Sequence, residues 1–177
     1  MPHSTSAAGL SELELAADDA IAPSPLPQVA RQWCASIDIE LAQRAGRTAL
    51  MRARHKGPLR IQRLFYPEAN GCAHVYLLHP PGGLVVGDEL TISLRAAAGA
   101  HGLLTTPSAG KIYTVNGLRH SDAATTQTQS VRLMLDAGSV CEWLPQETIV
   151  FNGANARLNT RVDATADAKF CLWDIVC

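Results

Sequence analysis

From Trp33 onward the chain runs in short apolar stretches broken by Gly, Pro and Asn, the punctuation of strands and tight turns rather than of helices. The clearest alternation sets Leu90, Ile92 and Leu94 against Glu89, Thr91, Ser93 and Arg95. A period of two sends successive side chains to opposite faces, so this segment is expected to be a strand with one buried and one wet face. The same pattern sets Val131, Leu133 and Leu135 against Arg132, Met134 and Asp136, and Leu158, Thr160 and Val162 against Arg157, Asn159, Arg161 and Asp163. The runs from His74 to Leu78, Thr148 to Phe151 and Phe170 to Val176 are apolar at both parities and are expected to lie between two layers. The pattern therefore predicts an all-β domain of stacked sheets. It leaves a sandwich and a β-helix-like arrangement open, although no internal repeat is visible, which argues against a regular solenoid.

Composition changes this picture mainly at the ends. Residues 1–30 carry Glu12, Glu14, Asp18 and Asp19 with a proline cluster at Pro23, Pro25 and Pro27, which reads as a disordered, solvated tail. A short helix over Leu10 to Ile21 would bury little. The domain is expected over residues 31–177. Because the chain stops within an apolar run, the reading is that the domain is incomplete at its C-terminal end. The net charge is −1, so no nucleic-acid or membrane partner is demanded by the total. Five cysteines, Cys34, Cys72, Cys141, Cys171 and Cys177, never approach C-x-x-C spacing. They are expected to be reduced and mostly buried. With no signal peptide and no long apolar span, the protein is expected to be cytoplasmic.

Candidate chemistry is sparse. A basic block, Arg44, Arg47, Arg52, Arg54, Lys56, Arg60 and Arg63, reads as the solvated faces of two strands, with a contact for an acidic protein partner as the next reading and a nucleic-acid-binding module over residues 44–63 as the alternative function. Ser108-Ala109-Gly110-Lys111-Ile112 fails as a phosphate loop, because Ile112 stands where a Ser or Thr would hold magnesium; Lys111 is expected in a strand-to-strand turn. His79-Pro80-Pro81-Gly82-Gly83, followed by Gly87-Asp88, predicts a stiff, specifically shaped loop. His79 and Asp88 are candidate metal ligands there without a third, and His74 reads as a packed strand residue. Glu142, beside Trp143, and Asp174, beside Trp173, are carboxylates in apolar runs. Each is expected either to meet an arginine such as Arg157 or Arg161, or to line an internal water-filled path. A hydrolase built on these two would need their carboxyls close together. No nucleophile elbow is present, so no enzymatic activity is expected.

The ordered set His79-Pro80-Pro81-Gly82-Gly83, Gly87-Asp88, Leu104-Thr105-Thr106-Pro107, Lys111 with Tyr113, and Glu142-Trp143-Leu144-Pro145-Gln146-Glu147 resembles the UreD (UreH) family of urease accessory proteins. Gly57-Pro58-Leu59, Phe65-Tyr66-Pro67-Glu68 and Trp173-Asp174-Ile175 fit as well. The chain departs from the family pattern at Val86, Gly110, Ile112, Thr114 and Asn152. The resemblance implies a β-helix-like fold, of which this chain is the N-terminal two-thirds. It also implies a non-enzymatic role in a complex with UreF and the GTPase UreG that inserts nickel into apo-urease. It implies no tightly bound cofactor, only transient Ni²⁺ on a path that includes Glu142, Asp174, His79 and Asp88. Loosely held oxygen ligands suit transit, since a closed set of His and Cys would trap the ion. Partner-facing residues are then expected among Pro80, Pro81, Gly82, Gly83, Gly87, Lys111, Tyr113, Trp143, Gln146 and Glu147.

Overall fold

The computed structural model describes residues 33–114 and 125–177; the tail expected over residues 1–30 lies outside them. Among the described residues the chain forms β1 (Cys34–Arg44), β2 (Arg47–Lys56), β3 (Arg60–Ile61), β4 (Ala73–Leu78), β5 (Glu89–Ala96), β6 (His101–Thr105), β7 (Gly110–Ile112), β8 (Gln127–Leu135), β9 (Val140–Trp143), β10 (Thr148–Val150), β11 (Ala156–Ala164) and β12 (Lys169–Leu172). The all-β expectation holds.

The strands wind around three faces. The first face carries the order β11-β8-β5-β1-β2 and the second the order β12-β9-β6-β4-β3. The third pairs β10 with β7 and is extended by single parallel bridges, Leu84 to Ile112 and Thr148 to Val176. Along the first face β1, β5, β8 and β11 are all parallel, and along the second so are β4, β6, β9 and β12. A chain that visits three faces in sequence and returns one layer further on is a β-helix, which decides between the two arrangements that periodicity left open. β2 and β3 run antiparallel to β1 and β4 and close the beginning of the coil. The β1–β2 connection places Ala45 and Gly46 at φ of 45° and 84°, the two left-handed positions that a tight hairpin turn requires.

The alternating residues explain why the coil holds. Ile37, Ile92 and Val131 align across β1, β5 and β8, and Ile39, Leu94 and Leu133 form the next rung. On the second face Val75, Leu104 and Trp143 stack in register. These side chains are almost wholly buried, each contributing roughly 1.5–3 kcal/mol by leaving water. No repeat is visible because the turns differ in length: Cys34 aligns with Glu89, Glu89 with Thr128, and Thr128 with Arg157. A register can repeat in space without a fixed period in sequence.

Two expectations are corrected. Phe170 to Val176 does not lie between layers; Phe170 is 54% exposed, and Trp173, Ile175 and Val176 are exposed as well. Among the described residues no further strand stacks on β12, and a coil buries a strand only when another turn lies upon it. Thr148 to Val150 is half-buried and Phe151 exposed. Among the described residues no helix is long and apolar enough to cross a membrane.

Candidate functional site

The proline-glycine loop carries the chain from β4 to the third face. The Gly82 N–H donates to the His79 carbonyl at 2.9 Å, with Gly82 at a φ of 75° that favours glycine. Gly83 lies flat on β7: a Cβ there would sit 2.5 Å from the Tyr113 ring and 2.8 Å from the Lys111 carbonyl oxygen. The Leu84 N–H then donates to the Lys111 carbonyl at 2.8 Å, and the Tyr113 N–H donates to the Leu84 carbonyl at 3.0 Å. Lys111 is thus a half-buried strand residue rather than a turn residue. The bridge from Leu84 to Ile112 draws it into the third face.

Asp88 is buried, and its carboxylate accepts from the Val85 N–H at 2.9 Å and the Trp33 N–H at 3.3 Å. These bonds shape the turn and leave the group committed. Burial holds the His79 imidazole below its ordinary range, and the Asp88 charge opposes this. Among the described residues neither joins a close cluster of metal-ligating side chains.

Successive turns of the coil bring the motif residues to one place. A cleft of about 380 Å³ is bordered by His79, Pro80 and Gly82 from the first turn, Lys111 from the second and Gln146 from the third. Its floor includes Leu90, Ile92 and Trp143. A neighbouring depression takes in Pro81, Gly83, Asp88 and Tyr113. Glu147 anchors the rim through its carbonyl, which accepts from the Gly110 N–H at 2.9 Å. Tyr113 stacks on Phe151 with ring centroids 5.3 Å apart. One residue that the sequence did not single out clamps this face. The buried Gln127 amide donates to the Tyr113 carbonyl at 2.6 Å and the Leu84 carbonyl at 3.2 Å, while its oxygen accepts from the Asn155 N–H at 3.1 Å.

The two acids part company. Glu142 points outward from β9, and His101 Nε2 lies 2.9 Å from its Oε1. Trp143 points inward, and its indole N–H donates to Asp174 at 3.2 Å; the Thr160 hydroxyl donates to the other Asp174 oxygen at 2.8 Å. Neighbouring strand residues face opposite sides, so β9 separates the two carboxyls, and the pair needed for hydrolysis is not assembled. Neither acid meets Arg157 or Arg161; Arg161 instead pairs with Asp163 at 2.8 Å.

The outward side of the second face gathers a donor set of its own. The ligating atoms of Cys72, His101 and Glu142 all lie within 4.8 Å of one another, as do those of Glu68, Cys72 and His74. His74 lies on β4 with its side chain largely covered, and its Nε2 is 3.1 Å from Glu68 Oε1. Burial, and then the charges of Glu68 and Glu142, push the Cys72 thiol up to about 12. Sequence reasoning passed over His101 and Cys72, because only the register of three successive turns makes them neighbours of Glu142. Among the cysteines, Cys72 and Cys141 are buried, whereas Cys34, Cys171 and Cys177 are exposed. The expectation of mostly buried thiols therefore fails for three of the five.

The basic block follows the β1–β2 hairpin, where most of β2 is exposed. Arg52 pairs with Glu40 at 3.4 Å, Arg47 lies over the Tyr66 ring and Arg63 over the Phe65 ring. A cation thus already occupies one face of each of these two rings.

Comparison with known proteins points in one direction. Residues 34–177 match the sequence profile described as UreD urease accessory protein. The urease accessory protein UreD of Saccharophagus degradans is 54% identical over 150 residues, which is 85% of this chain and 49% of that protein. The Klebsiella aerogenes protein of the same name is 47% identical over 152 residues, 86% of this chain and 53% of its own length. The Hahella chejuensis one is 46% identical over 146 residues, 82% and 45%. The chain spans about half the length of these relatives.

Proposed function

The chain belongs to the UreD urease accessory protein family, and on that premise we propose that it is a non-catalytic scaffold in the maturation of urease, acting with UreF and UreG to deliver nickel to the apo-enzyme. The observation that carries this reading is the convergence of His79 to Gly83, Lys111, Tyr113 and Gln146 on one face. They come from separate turns of the coil, yet line an apolar-floored cleft and the depression beside it, with a polar rim, the anatomy of a protein-binding surface. The loop that forms half of this rim is stiffened by Pro80 and Pro81, so docking would cost little ordering entropy. Nickel is the cargo of such a complex. The chain need only guide it, and oxygen donors with water suit a weak, sequential hold.

The test is co-purification of the chain with UreF and with apo-urease. Binding at micromolar concentration or tighter is expected, and it should weaken in Lys111→Glu while the fold is retained. Absence of binding to both partners would defeat the reading.

A further inference from the structure

On the outer side of the second face, away from the cleft, Cys72, His101 and Glu142 converge from three successive turns. We propose that these three side chains form a binding site for one borderline divalent cation of the Ni²⁺ or Zn²⁺ class, with further coordination positions open to water or to a second molecule. Metal–ligand bonds of roughly 2.0–2.3 Å place the donor atoms of a tetrahedral site roughly 3.3–3.8 Å apart. The three atoms here lie within 4.8 Å of one another, with His101 Nε2 and Glu142 Oε1 in hydrogen-bond contact at 2.9 Å, so small side-chain rotations that part this pair and bring it toward the Cys72 sulfur complete the geometry. The Glu142 and His101 side chains, only partly covered at 30% and 26% exposure, have room to make them.

Cys72 is the fixed point. It is fully buried, its N–H donates to Asn70 Oδ1 at 2.9 Å, and it sits immediately before β4. His101 is held by its own N–H, which donates to the buried Thr48 hydroxyl at 2.7 Å. The donor set is one sulfur, one imidazole and one carboxylate, a combination that disfavours Mg²⁺ and Ca²⁺ and suits Ni²⁺, Zn²⁺ or Co²⁺. A divalent cation would be balanced by the Glu142 carboxylate and by Cys72 as thiolate, the thiol proton passing to solvent on coordination. The second group, Glu68 and His74 with the same Cys72, offers an approach from the exposed Glu68 side. This inference needs only the chain and a cation, so it stands or falls apart from the role in urease maturation.

The test is titration of the metal-free chain with Co²⁺, followed by competition with Ni²⁺, Zn²⁺ and Mg²⁺. A single equivalent is expected to produce thiolate-to-metal charge-transfer absorption, displaced by Ni²⁺ and Zn²⁺ but not by Mg²⁺. The band should vanish in Cys72→Ser and survive when Cys34, Cys171 and Cys177 are all changed to serine. His101→Gln and Glu142→Gln, at partly exposed positions that tolerate substitution, should each weaken binding about tenfold or more, at least the loss typical of outer-shell partners; they carry the test should Cys72→Ser fail to fold. No charge-transfer band at saturation, a band that persists without Cys72 or is lost with the three exposed cysteines, or unchanged affinity in both glutamine variants would overturn the proposal.

Discussion

The Trp143 indole N–H donates to the Asp174 carboxylate at 3.2 Å, tying the third turn of the coil to the end of the fourth. Asp174 also accepts from Thr160 on β11, so one carboxylate clasps two elements. Trp143 is only 1% exposed, and removing its acceptor strands a buried N–H. Asp174→Ala is expected to cost about 1–2 kcal/mol, discounted for the exposure of the aspartate, in a urea titration followed by tryptophan fluorescence. Asp174→Asn, which keeps an acceptor, should recover part of the loss. Equal stability of wild type and Asp174→Ala would show that the clasp contributes nothing. A fall in urease activation by the alanine variant can be assigned to nickel transit only at matched stability.

Gly83 offers a sharper probe of the third face. An added Cβ meets Tyr113 and the Lys111 backbone below 3.0 Å, and the backbone cannot retreat without breaking the Leu84 to Lys111 bond. Gly83→Ala is expected to lose about 1–3 kcal/mol through overpacking, measured by thermal unfolding, and to weaken partner binding more than Gly82→Ala does. A Cβ at Gly82 meets nothing within 4 Å, although its positive φ still strains alanine. Unchanged melting of Gly83→Ala would refute the close approach.

The contrast between what was legible and what was not follows from the range of each signal. The burial of Leu90, Ile92 and Leu94 and of Val131, Leu133 and Leu135 could be read from alternation alone, since each strand carries its own two-residue record. Phe170 and Cys171 were misplaced because their burial depends on what stacks above them, which no local pattern states. The cleft was half legible: the loop at Pro80 to Gly83 advertised its shape, but its meeting with Lys111 and Gln146 is a product of winding. His101 and Cys72 were not legible at all. Their partnership with Glu142 exists only through the registers of β4 with β6 and of β6 with β9.

Thiol chemistry should divide the cysteines as burial does. The reactive species is the thiolate, and both buried thiols are pushed up to about 12, Cys72 as described and Cys141 chiefly by burial, with smaller contributions from Glu142 and Cys72. A disulfide reagent at mildly alkaline pH is therefore expected to modify Cys34, Cys171 and Cys177 quickly, with Cys72 and Cys141 reacting only on unfolding. Mass mapping of the labelled peptides checks this. The linkage has a definite sign. The unfolded Cys141 thiol loses its proton near 9.0 whereas the folded one keeps it to about 12, so its contribution is intact below 9.0 and stability drains away as pH rises through that window.

At the acid side His79 should set a slope. Burial lowers its folded value from 6.5, opposed only by Asp88, so in the folded chain the imidazole stays neutral at pH values where the unfolded chain has begun to take up a proton. The unfolded state then binds more protons, and stability must fall as pH drops below 6.5, flattening once the folded imidazole itself protonates. His79→Gln removes the titration, and its stability is expected to decline less between neutral and mildly acidic pH than that of the parent chain. Asp163 adds a slope at lower pH: hydrogen bonds and charge from Arg161 and Arg132 hold its carboxyl below 3.8, a contribution lost only as pH falls through the carboxylate range. The two windows are separated, so paired denaturation curves of His79→Gln and the parent at pH 7.5 and pH 5.5 isolate the histidine. A parallel decline of both proteins would mean that the imidazole titrates freely and that its place at the cleft rim is open to water.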